Sequence, residues 1–123
     1  MPIDVLIVDD SAAIRKIVQR TLRQAGFDLG EILEAGDGVE ALEKLKGRSV
    51  GLILSDINMP NMDGIQLLSA LKSSAEFKHV PVIMITTEGG EAKVKEAVKL
   101  GASGYVRKPF TVDQIKDKLL GLF

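Results

Sequence analysis

Short apolar runs that do not alternate with polar residues recur along this chain, and each is followed by a longer amphipathic stretch. "VLIV" at 5–8, "LIL" at 52–54 and "VIMI" at 82–85 are continuous. A strand with one wet face alternates in polarity, so continuous runs predict strands covered on both faces, as in parallel sheets. "EILEA" (31–35) is the least apolar of the runs and is placed at a sheet edge. "GYVRK" (104–108) gives a short fifth strand.

The stretches between these runs carry helical spacing. Ile14, Ile17, Val18 and Leu22 form one apolar face, with Arg15, Lys16, Arg20 and Arg23 outside it and Gly26 as the stop. Asp37, with Glu40 three residues on, resembles a capping box. It opens a second helix with Val39, Leu42 and Leu45 along its inner face. Ile65, Leu68 and Leu71 mark a third helix. Val94, Ala97, Val98 and Leu100 mark a fourth, closed by Gly101. "TVDQ" (111–114) opens a fifth, with Ile115, Leu119 and Leu122. Strict strand–helix alternation predicts an α/β fold, a doubly wound five-stranded parallel sheet. The 123 residues contain no linker, repeat or low-complexity segment and are read as one domain.

Composition narrows the function classes. A net charge of −1 gives no footprint for a polyanion partner, so no nucleic acid is expected. Without cysteine there is neither disulfide nor thiolate metal site. "MPIDVLIVDD" has no basic residue before its apolar stretch and is not a signal peptide. No apolar run approaches the ~20 residues of a membrane span. A cytoplasmic protein is expected.

In open parallel sheets, sites form at the carboxyl ends of the strands. Asp9 and Asp10 stand there after strand 1, Asp56 after strand 3, Thr86, Thr87 and Glu88 after strand 4, and Lys108 and Pro109 after strand 5. Taken alone, Asp9 and Asp10 before Ser11 serve equally well as a helix cap. Asp56 alone is an ordinary loop acid, and Lys108 alone a solvated charge. Together they have a common chemistry. Three carboxylates on one rim repel unless a cation offsets them. Oxygen ligands suit a hard divalent ion, magnesium first. With a lysine and a hydroxyl beside them, they form a phosphoryl-transfer site in which a carboxylate becomes an aspartyl phosphate.

"VDD" after strand 1, "SDINMPNMDG" after strand 3, "ITT" at strand 4 and "KPF" after strand 5 resemble the receiver domains of two-component response regulators. The resemblance spans the chain and is nearest to the stand-alone chemotaxis regulators of the CheY type. It implies a flavodoxin-like (βα)5 fold with strand order 2-1-3-4-5, residues 1–123 forming the receiver with no output domain. It implies that Asp56 is the phosphoacceptor. Asp10, Asp56 and the main-chain carbonyl of Asn58 would hold Mg2+, with Asp9 nearby through water. Lys108 would contact the phosphoryl oxygens across a cis bond to Pro109. Thr86, preferred to Thr87 because it lies 22 positions before Lys108, would form a switch pair with Tyr105. Tyr105 by itself reads as a half-buried strand aromatic.

The implied activity is stoichiometric rather than enzymatic. A histidine kinase donates the phosphoryl group, and the chain assists its own phosphorylation and dephosphorylation. The face of helix 4, strand 5 and helix 5 then binds a target such as a flagellar motor switch component, with a phosphatase as a further partner and a monomer as the expected state. Asn58 and Glu88, two positions beyond the acceptor and the switch threonine, are placed to tune dephosphorylation.

Three rivals stand beside this. A phosphorelay carrier passing phosphate to a second histidine protein shares every motif. A haloacid-dehalogenase-like phosphatase needs a second Asp where Asn58 stands, and a cap domain for which there is no room. A flavodoxin-like cofactor binder needs a phosphate loop where "DDSAA" places two acids.

Overall fold

The computed structural model describes residues 2–86, 91–120 and 122. Five strands and five helices alternate: β1 Ile3–Val8, α1 Ala12–Gln24, β2 Leu29–Ala35, α2 Gly38–Leu45, β3 Leu52–Asp56, α3 Gly64–Lys72, β4 Val82–Thr86, α4 Glu91–Leu100, β5 Gly104–Arg107 and α5 Val112–Leu120. The strands form one parallel sheet in the order β2-β1-β3-β4-β5. The continuous apolar runs explain the arrangement. Val5 to Val8, Leu52 to Leu54 and Val82 to Ile85 are all buried, which requires helices on both faces.

Two apolar layers supply that cover. On one face Val18 and Leu22 of α1 meet Ile115 and Leu119 of α5 against Val5, Ile7, Leu52, Leu54, Ile83 and Ile85. On the other, Ala41 and Leu45 of α2, Leu67, Leu68 and Leu71 of α3 and Ala97 of α4 pack on Leu6, Val8, Ile53 and Met84. The sheet edge assigned to "EILEA" is β2, extended to begin at Leu29.

Several expected helix faces are turned from their predicted positions. Val39, Ile17 and Val98 are exposed by 47%, 48% and 55% rather than buried. In α2 the buried stripe is Gly38, Ala41 and Leu45, because Gly38 packs against Met62 and brings the small residues inward. In α1 the stripe runs through Val18, Thr21 and Leu22, and in α4 Ala97 is the inward position.

The helix starts are capped by side chains at each described site. Ser11 caps α1 through Ile14 N. Asp37 accepts from Glu40 N, but Glu40 reaches back to Gly36 N at 3.1 Å instead of to the cap residue. The reciprocal capping box lies at Asp63 and Gln66, and Thr111 with Gln114 repeats the pattern before α5. The sharp exits after α1 and α4 use Gly26 (φ +88°) and Gly101 (φ +104°), as their left-handed backbone demands. The peptide bond Lys108–Pro109 is cis.

Candidate acidic phosphoryl-transfer site

Adjacent strand ends bring the acids together. β1 and β3 are neighbours at the middle of the sheet, with Val8 paired to Ser55, so Asp9 and Asp56 emerge side by side. Carboxylate oxygens of Asp9, Asp10 and Asp56 all lie within 4.8 Å of one another, with Asp9 and Asp56 buried and Asp10 exposed.

Asp9 is tied on every side. Its N–H donates to Ala35 O at 3.0 Å, its Oδ1 accepts from Ser11 N at 2.9 Å, and its Oδ2 accepts from Lys108 Nζ at 2.8 Å. The helix-cap question resolves as a division of labour: Ser11 is the cap of α1, and Asp9 orients Ser11.

Asp56 ends β3 with its Oδ1 accepting from Ile57 N at 2.8 Å. Its Oδ2 lies 3.5 Å from Lys108 Nζ. Burial, then the charge of Asp9, raise the Asp56 pKa above its ordinary 3.8, against the opposing pull of Lys108. Lys108 is depressed by burial, but its hydrogen bond to Asp9 and the charges of Asp56 and Asp9 win, leaving it above its ordinary value. One ammonium thus serves two buried carboxylates and leaves Asp56 under-compensated.

Gly64 shapes the loop beyond Asp56. It donates to Ile57 O at 2.8 Å, and a Cβ there would overlap the carbonyl oxygen of Asp56 and come within 2.9 Å of Met84 Cε. The sequence signal was present in "MDG", but the close approach that explains it is a matter of packing. A second tie fixes the same loop: Asn61, in a left-handed conformation (φ 64°), donates to Asp37 Oδ2 at 2.8 Å.

Thr86 is buried at the end of β4, and Lys108 N donates to its carbonyl at 2.7 Å. Met84 is paired with Tyr105 and Thr86 with Arg107, so Thr86 and Tyr105 are diagonal neighbours on one sheet face. Tyr105 is half-buried, with Lys118 Nζ 5.3 Å from its ring centroid. Together with Val106, Arg107 and Gln114 they line a shallow cleft between β5 and α5. Asn58 is exposed, and its side-chain oxygen accepts from Lys93 Nζ of α4 at 3.4 Å. Thr87 and Glu88 lie outside the described residues.

The donor set suits a small hard cation. Three carboxylates offer only oxygen, and no nitrogen or sulfur ligand is among them. Asp10 and Asp56 would hold Mg2+, with Asp9 beside them.

The carboxyl rim of a parallel α/β sheet in this order thus carries three acids and a lysine. The chain belongs to the response regulator receiver domain family, whose model matches residues 5–120. It is 45% identical to the chemotaxis protein CheY1 of Helicobacter pylori, over 93% of this chain and 91% of the relative. It is 43% identical to a chemotaxis protein CheY homolog of Campylobacter jejuni, over 93% and 87%. Among solved structures, the chemotaxis response regulator CheY4 of Vibrio cholerae superposes with a TM-score of 0.86 at 36% identity, covering both chains completely. The protein is therefore a CheY-like receiver, a two-component signalling protein.

Proposed function

We propose that this receiver accepts a phosphoryl group on Asp56 from the phosphohistidine of a kinase, and that it serves chemotaxis in the cytoplasm. The observation that carries the reading is the buried Asp56 carboxylate, clustered with Asp9 and Asp10 and 3.5 Å from the Lys108 ammonium. An oxygen of Asp56 attacks phosphorus as the phosphorus–nitrogen bond to the donor imidazole breaks. Bound Mg2+, held by Asp10, Asp56 and the Asn58 carbonyl, would supply the charge neutralisation that lets carboxylate and phosphoryl oxygens approach.

Lys108 already donates toward both Asp9 and Asp56. A small movement carries its ammonium to a phosphoryl oxygen, stabilising charge that develops in transfer. The product adds nearly two negative charges to the rim. Thr86 then turns its hydroxyl toward a phosphoryl oxygen, and Tyr105 moves into the space it leaves. Their diagonal placement on one sheet face supports this pairing. The face of α4, β5 and α5 is thereby remodelled for a protein target such as a flagellar motor switch component. Moving such an equilibrium from 1:99 to 99:1 requires about 5.5 kcal/mol of differential stabilisation. Asn58, with Glu88, tunes the return by controlling water near the phosphoryl group.

The test is transfer from a phosphorylated histidine kinase to this protein with and without magnesium. Label should pass to the receiver only with magnesium. Equal transfer in excess chelator contradicts the reading.

A further inference from the structure

A support for the acidic loop lies outside the acidic cluster. Arg15 of α1 reaches back to donate from Nη1 to the carbonyl oxygen of Asp9 at 2.6 Å. Its Nε donates at the same time to Glu34 Oε1 at 3.0 Å. Glu34 lies on edge strand β2, and its second oxygen takes Lys16 Nζ at 2.9 Å. The Arg15 side chain is only 18% exposed, unlike the solvated face its sequence position suggests.

The two ends of the loop residue are thus held by different parts of the fold. The N–H of Asp9 is fixed by Ala35 of β2, and its carbonyl by Arg15. That carbonyl belongs to the peptide joining Asp9 to Asp10, and Asp10 is the exposed acid of the cluster. Where the Asp10 carboxylate can point depends on how this peptide is turned. A planar guanidinium can bridge a carbonyl and a carboxylate in fixed geometry, whereas a lysine ammonium on a flexible stem cannot hold both in register.

We propose that Arg15, braced by Glu34, is a positioning residue that fixes the Asp9–Asp10 peptide and so sets the grip of the acidic cluster on a divalent cation. This rests on the reading of the cluster as a magnesium site. Arg15 bonds to a main-chain carbonyl and to Glu34, and it acts through the peptide it holds. The sign of its effect separates positioning from charge. Deleting a positive charge beside three carboxylates should tighten cation binding by simple electrostatics. Loss of the clamp should weaken it.

The experiment is calorimetric titration of Mg2+ into wild type, Arg15→Met, Arg15→Lys, Glu34→Ala, the Arg15→Lys/Glu34→Ala double variant and Asp10→Asn, with thermal unfolding of each. Both Arg15 variants should bind about tenfold more weakly, the range expected when a residue supporting a metal ligand is lost. Should Arg15→Met fail to fold, Arg15→Lys carries the test. Glu34→Ala should reproduce the loss, and the double variant should be no worse than either single change. Wild-type or tighter binding by Arg15→Met, or wild-type binding by Arg15→Lys, overturns the proposal; additive losses in the double variant overturn the brace. Asp10→Asn separates the two readings: wild-type binding there contradicts the magnesium site itself. The clamp is then read from the metal-free amide resonance of Asp10, which should move in Arg15→Lys and whose constancy would refute it.

Discussion

Lys108 Nζ stands 2.8 Å from Oδ2 of Asp9 and 3.5 Å from Oδ2 of Asp56. In this state the lysine is committed first to Asp9, the more deeply buried acid. The pairing stabilises the fold and also holds the ammonium beside Asp56. Lys108→Met strands a buried carboxylate and should cost about 3 kcal/mol of stability. Adding Asp9→Asn removes the other half of the pair and should recover most of that loss. Urea denaturation of the two variants checks this; no recovery would mean that the lysine stem, not its charge, carries the stability.

Asp56 contributes in the opposite direction. Its folded pKa lies above its unfolded value, so ionisation is disfavoured in the folded state. The resulting cost is fully present above the folded pKa and vanishes as pH falls below the ordinary 3.8. Asp56→Asn should therefore be more stable than wild type at neutral pH without divalent cation, and the gap should close in acid. Denaturation midpoints across pH in chelator decide this, and a more stable wild type at neutral pH would show that Lys108 over-compensates.

Glu34 has the usual carboxylate sign. Hydrogen bonding by Lys16, opposed by burial and reinforced by Arg15, holds it below its ordinary 4.5. Its ion pairs stabilise above pH 4.5 and that contribution fades as pH falls through the lowered folded value. Glu34→Gln should cost up to about 1 kcal/mol at neutral pH, as for a partly exposed pair. The wild-type and variant stability curves should converge in acid, and parallel curves would contradict the assignment.

Gly64 should tolerate no side chain. Its Cβ would displace the carbonyl of Asp56, so Gly64→Ala should cost about 1–3 kcal/mol. Because the displaced atom belongs to Asp56, phosphorylation should slow as well. Denaturation and the rate of labelling, measured on the same preparation, test both halves; an unperturbed rate in a destabilised variant would separate the loop from the chemistry.

Much of this architecture was legible because its signals are local. Runs such as "VLIV" must be buried on two faces, and the acids and lysine fall at strand ends whatever the packing. Helix rotation was less legible. Val39 reads as inward because it is apolar, while Gly38 and Ala41, which are buried, carry little apolar signal. Arg15 was hidden for another reason. Its partners are six residues back along the chain and nineteen forward, on a different strand, so no helical spacing announces them. The choice of Asp9 as the main partner of Lys108 spans 99 positions and follows only from the assembled sheet.

The central claim is that Asp56 becomes phosphorylated. Wild type and Asp56→Asn should be incubated with acetyl phosphate and magnesium and compared by intact mass, with the modified residue mapped after stabilisation. The account predicts one phosphoryl group on wild type, located on Asp56, and none on Asp56→Asn. Equal phosphorylation of Asp56→Asn, or a group mapped to Asp9 or Asp10 in wild type, would contradict it.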